Sequence, residues 1–95
     1  MADTTTKKFK EFQATPLKDC KLKDVPGIGD VTLGHLRTHR IDTVDQLIGH
    51  FLVLKKDGAK MEKWLVEKCE VKDRYAKDIV EAIARKHEGS TQHAK

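Results

Sequence analysis

The 95-residue chain is expected to be all-α: a compact five- to six-helix domain with one glycine-built hairpin turn, assembled as a homodimer. Three observations lead there. Apolar residues recur three and four positions apart along nearly the whole chain, with almost no alternation of the strand kind. The length permits one core only, because two halves would each be too small to bury their own. One helix carries an apolar stripe that is either an interface between two copies or entirely core of its own chain, two readings that the residues alone leave equal.

The elements follow in order. Asp3 can cap a first helix that carries Phe9 and Phe12 and stops at Thr15-Pro16, since the residue before proline avoids the α region. A short polar helix is expected from about Leu17 to Val25, leading into the turn Pro26-Gly27-Ile28-Gly29. Asp30 is then expected to cap a helix with Val31, Leu33 and Leu36 on its apolar side. Asp42-Thr43 opens the next, where Val44, Leu47, Ile48, Phe51 and Leu52 form the cleanest amphipathic stripe in the chain. The segment Lys55-Lys56-Asp57-Gly58 breaks it. Met61, Trp64, Leu65 and Cys69 give a further stripe, and Tyr75, Ile79, Val80 and Ile83 mark the last helix. The domain is expected over residues 1–88, with residues 89–95 as a flexible polar tail.

Composition narrows the function. Hydrophobic residues are 38% and charged residues 36%, the polar edge of the globular range and too apolar for disorder. No stretch approaches the length of a membrane span, and the polar start lacks the apolar core of a secretory signal. The large catalytic folds need longer chains. No Ser/His/Asp or Cys/His constellation, carboxylate pair or Walker loop is present, so no enzyme is expected. Cys20 and Cys69 stand apart without a CxxC, and His35 and His39 lack a third ligand, so neither metal nor cofactor is expected. A small intracellular binding module remains.

The charges suggest what it binds. Lys and Arg number 19 against 15 Asp and Glu, and the excess lies at the two ends of the chain. The middle is balanced: residues 27–58 carry four charges of each sign. A mild basic excess leans toward a polyanion, and the neutral middle toward a protein-facing surface.

Gly27-Ile28-Gly29 is the most informative stretch. Two glycines around one aliphatic residue permit a tight turn while Ile28 plugs inward between two helices. The turn brings the next helix's unpaired N–H groups and positive dipole end to the surface, where they favour an anion. With Val31 this is the helix-hairpin-helix pattern, which holds nucleic-acid backbone without reading bases. The same residues would also serve as a plain interhelical link, and a small protein–protein module without DNA binding stays the second reading. Lys72 and Arg74, just before the last helix, could repeat the physics with added charge, although on the residues alone an ordinary helix start with solvated cations is the favoured reading.

The run Phe51-Leu52-Val53-Leu54-Lys55-Lys56-Asp57, with Gly49 before it, resembles the signature of the barrier-to-autointegration factor family. The register holds from Phe12 and Pro16 through the Gly-Ile-Gly turn to Trp64-Leu65 and Cys69, covering about residues 4–75. The family's aromatic-rich last helix is replaced here by an aliphatic and charged one. The resemblance implies a nuclear, and also cytoplasmic, homodimer that binds double-stranded DNA without sequence preference. Such a dimer bridges duplexes in chromatin compaction, nuclear organisation and envelope assembly.

It also assigns residues. Lys8, Gly27, Ile28, Gly29, Val31, Lys72 and Arg74 would meet DNA. Leu47, Ile48, Gly49, Phe51 and Leu54 would form the dimer interface. Ile41, Val53, Leu54 and Lys55 would hold LEM-domain proteins of the nuclear envelope, with lamins and histones as further partners and no insertion into the membrane. Thr4, Thr5 and Thr6 stand where the family is phosphorylated to release DNA.

Overall fold

A computed structural model describes the backbone of residues 7–93 and side chains through Glu88. Five α-helices and no strand occur among the described residues. The first, α1, is Lys7–Ala14, and it ends where Pro16 requires. Asp3, expected to cap it, lies outside the described residues.

The polar helix expected from Leu17 to Val25 is not one helix. Two 3-10 turns, Leu17–Asp19 and Leu22–Asp24, replace it, with Cys20 and Lys21 extended between them. The cause is local. Lys21 N donates to Asp24 Oδ2 at 2.9 Å and its carbonyl accepts from Asp24 N at 2.9 Å, which closes a short turn on itself. The segment also has too few apolar residues to hold a longer helix against the core.

Helix α2 (Asp30–Thr38) is capped at Gly29, not at Asp30. Gly29 is the capping residue and Asp30 the first residue inside, a one-position correction to the sequence reading. Helix α3 (Val44–Val53) opens on a capping box, with Gln46 N donating to Thr43 Oγ1 at 3.1 Å and Thr43 N donating to Gln46 Oε1 at 3.2 Å. Two left-handed residues, Lys55 and Lys56, turn the chain into α4 (Gly58–Cys69), which Asp57 caps through Lys60 N at 3.1 Å. Helix α5 (Asp73–His93) continues through residues expected as a polar tail and stays helical to His93. Gly89 costs a helix about 1 kcal/mol relative to alanine but does not stop one.

Helix α5 lies against α1, α3 and α4, and α4 also meets α2. Ala76, Ile79, Val80 and Ile83 supply its buried stripe, facing Met61 and Leu65 of α4 and Phe9 and Phe12 of α1 within one core. Cys69 is fully buried there, and burial pushes its thiol up to about 11.

Trp64, the only tryptophan, sits half-buried between two imidazoles, with ring centroids 5.3 Å from His39 and 4.1 Å from His50. Burial, and then the neighbouring His39, hold His50 below the usual histidine value, and its Nε2 is buried without a partner. The folded protein therefore favours neutral His50. That stability is present above the unfolded imidazole value of about 6.5 and is lost as pH falls through the lower folded value. A urea midpoint at about pH 5.5 should lie below that at about pH 7.5, with Trp64 emission falling in step. His50→Gln should flatten the His50 share of that dependence; an identical pH profile in both proteins would argue against it.

Candidate nucleic-acid interface

The glycine turn is built from the core outward. Val25 and Ile28 are buried, and Ile28 N donates back to Val25 O at 3.1 Å, so the plug is closed before the helix begins. Between them Gly27 takes φ +94°, the region that favours glycine. Gly29 is extended and accepts from Leu33 N at 2.9 Å. It brings no side chain to the N–H groups of α2's first turn. Thr43 and Asp57 cap α3 and α4 with side-chain oxygens, whereas α2 has none. Its first-turn donors and dipole end therefore face outward, available to an anion.

Asp30 would oppose that anion, but Lys23 pairs with its carboxylate at 3.2 Å from the preceding 3-10 turn. The pair is solvent-exposed and weak. Its consequence is to cancel a local negative charge.

The second candidate site lies directly against the first. A Cβ placed on Gly27 would stand 2.7 Å from the Tyr75 carbonyl oxygen and 3.0 Å from Ile79 Cγ1, so the turn and the start of α5 touch backbone to backbone. Lys72, Asp73 and Arg74 are exposed at that start. Two turns far apart in sequence thus share one surface. Lys77, exposed one helical turn beyond Arg74, extends its basic rim. The sequence reading passed over Lys77 because it sits inside a helix, where a lone lysine has no local signal.

Lys8 is exposed on α1 and borders a groove of about 310 Å³ lined also by Glu11, Phe12, Thr15 and Asp24. Asp24 ends the turn that leads into Val25-Pro26-Gly27, so the groove joins Lys8 to the hairpin's approach. Val31 is 73% exposed at the start of α2. Ile28, by contrast, is 4% exposed and serves the turn from inside.

The expected interface residues divide. Leu47, Ile48 and Phe51 lie in the core of their own chain, so the apolar surplus of α3 is narrower than the stripe suggests. What faces out is Leu52 and Val53, at 40% and 74%, beside half-buried Gly49 and Leu54. Ile41 is buried at 5%, whereas Val53 and Lys55 are open to a partner. Thr4, Thr5 and Thr6 lie outside the described residues. His35 pairs with Glu70 at 3.2 Å while His39 faces Trp64, and no cluster of three metal-binding side chains occurs among the described residues.

Comparison of the sequence with known proteins finds relatives of this chain. The family model described as barrier to autointegration factor matches residues 3–88, reaching over the aliphatic last helix that the sequence resemblance left out. The barrier-to-autointegration factor of Mus musculus is 33% identical over 75 residues, covering 79% of this chain and 84% of the relative. That of Drosophila melanogaster is 31% identical over 79 residues, covering 83% and 88%. That of Homo sapiens is 32% identical over 75 residues, covering 79% and 84%.

Proposed function

This chain belongs to the barrier-to-autointegration factor family, and from that premise we propose that it is a double-stranded DNA-binding protein that holds phosphate backbone without reading sequence. One observation carries the reading. The contact between Gly27 and the first turn of α5 sets uncapped α2 donors and the cations Lys72 and Arg74 on one surface. Backbone N–H groups and lysine or arginine heads contact phosphates, which every DNA sequence presents alike.

Pairing of two copies along the outer edge of α3 would give each dimer two such surfaces and let it bridge two duplexes. Exposed Leu52 and Val53 beside Gly49 support that edge as the interface. Compaction of chromatin in the nucleus is the role that follows. Val53 and Lys55 would offer LEM-domain proteins a second surface, with lamins and histones as further partners. No helix among the described residues is long and apolar enough to cross a membrane.

The test is a gel shift on random duplex DNA across a salt series, with the free protein's mass measured by light scattering. Affinity should fall steeply with salt. Lys8→Ala and Arg74→Ala should each weaken binding to all sequences alike and reduce the log–log salt slope by about one. Absence of binding at low salt would leave a protein–protein module instead, and a mass near 10.8 kDa would end the bridging mechanism.

A further inference from the structure

Four large hydrophobic side chains are exposed among the described residues; Val31, at 73%, follows the glycine turn, and Tyr75, at 39%, belongs to the residue whose carbonyl lies against Gly27. Phosphate recognition requires N–H donors and cations and has no use for apolar surface. Apolar groups left in water beside such donors suit the other parts of a nucleotide, its sugar and its base.

The backbone of Tyr75 is anchored at the turn. Its carbonyl lies against Gly27, and its N–H donates to Lys72 O at 2.9 Å. Arg74 folds over the ring, with the guanidinium carbon 4.7 Å from the centroid and Nη2 donating to Tyr75 Oη at 3.0 Å. The contact is exposed, so it lays Arg74 along the ring while leaving the guanidinium open to solvent and to a phosphate. Trp64 cannot play the part, because two imidazoles already flank it.

An exposed aromatic ring with a guanidinium over it, on a residue whose backbone meets the glycine turn, has the make-up of platforms that stack unpaired bases. Within a duplex the base faces are covered by their neighbours, so such a ring reaches only sugar edges. At a duplex end with a single-stranded extension a base face is free. We propose that Tyr75, backed by Arg74, stacks an unpaired base while α2's donors hold the adjacent phosphate, so that the chain grips duplex ends with short overhangs more tightly than blunt duplex. The inference rests on the DNA-binding reading above.

Fluorescence anisotropy on three labelled probes sharing one duplex tests it: blunt, with a three-nucleotide overhang, and with the same overhang made abasic. The abasic probe keeps the added phosphates and removes only the bases. The base-bearing overhang should bind about fivefold or more tighter than the abasic one, the effect expected from stacking one base. Tyr75→Ala should bring that ratio to about one, and Tyr75→Phe, which keeps the ring, should preserve it. A ratio of about one in the unmodified protein, or a preference that survives Tyr75→Ala, would overturn the stacking site while blunt-duplex binding still stood. Failure of all probes to bind would reject the DNA reading beneath it.

Discussion

Gly29→Glu is expected to abolish DNA binding, a loss on the order of a hundredfold at about 0.1 M salt, in a protein that remains folded. The backbone there is extended, at φ −106°, and a Cβ would meet nothing within 4 Å, so a side chain is accommodated without moving a neighbour. A carboxylate at a helix N-terminus is also favourable to the helix, since it answers the unpaired donors and the dipole. That is why it should be harmful to binding: it would occupy the place of a phosphate and repel the next one. Losing one charge-assisted contact of about 2 kcal/mol and adding about 1 kcal/mol of exposed repulsion gives the hundredfold figure. Gly29→Gln, similar in size and neutral, should lose less. Anisotropy titrations of both variants, with a thermal melt as the check on folding, measure the difference; affinity unchanged by Gly29→Glu would remove the turn from the site.

Gly27 cannot serve for this test, although the sequence presents the two glycines as equivalents. At φ +94°, with the Tyr75 carbonyl 2.7 Å from where a Cβ would stand, any side chain there would push the turn off α5. Loss of binding at Gly27 would report a displaced helix. One glycine makes the contact between the two turns and the other leaves the donors uncovered.

That division marks the limit of what local pattern carries. The stripes of α3, α4 and α5 are legible because burial of one helical face imposes its period on the residues themselves. The hairpin is legible for a related reason, since few residues besides glycine permit it. The meeting of Gly27 with α5 is not, because nothing in either segment names the other; it arises from how α5 is seated on the core. The inward turn of Leu47, Ile48 and Phe51 is hidden likewise. A stripe says that a face is apolar, but which part of it meets its own chain depends on where α5 lies. The segment from Leu17 to Val25 misleads in the other direction: helix-compatible residues yield to a lysine backbone and an aspartate side chain that close a turn locally.

Lys86 is the residue that composition hides most completely, and its replacement should have the largest effect on stability. It stands three positions beyond Ile83 on the buried side of α5 and is only 5% exposed. Its ammonium donates to the carbonyls of Phe12 and Thr15 and to Gln13 O at 3.3 Å, and lies 5.0 Å from the centre of the Phe12 ring. Phe12 and Gln13 belong to the last turn of α1, where carbonyls have no partner within the helix and the dipole is negative. One lysine from α5 therefore caps α1, helped by Gln13 Nε2, which donates to Ala82 O at 2.9 Å. Lys86→Met keeps an unbranched side chain of similar reach and removes the donors. Leaving Gln13 O without the ammonium, and Phe12 O and Thr15 O with only the weak Cys20 thiol donor, should cost about 3 kcal/mol in all, lowering Tm by about 12–24 °C for a chain of this size. DNA affinity should fall as well, although Lys86 is buried, because α1 carries Lys8 and an undocked α1 takes that cation away from the groove. Thermal melts followed by circular dichroism, with trypsin cleavage at the Lys7-Lys8-Lys10 cluster, measure both consequences together. A melt within about 2 °C of the unmodified protein would mean that α1 is held by Phe9 and Phe12 alone and that the ammonium is incidental.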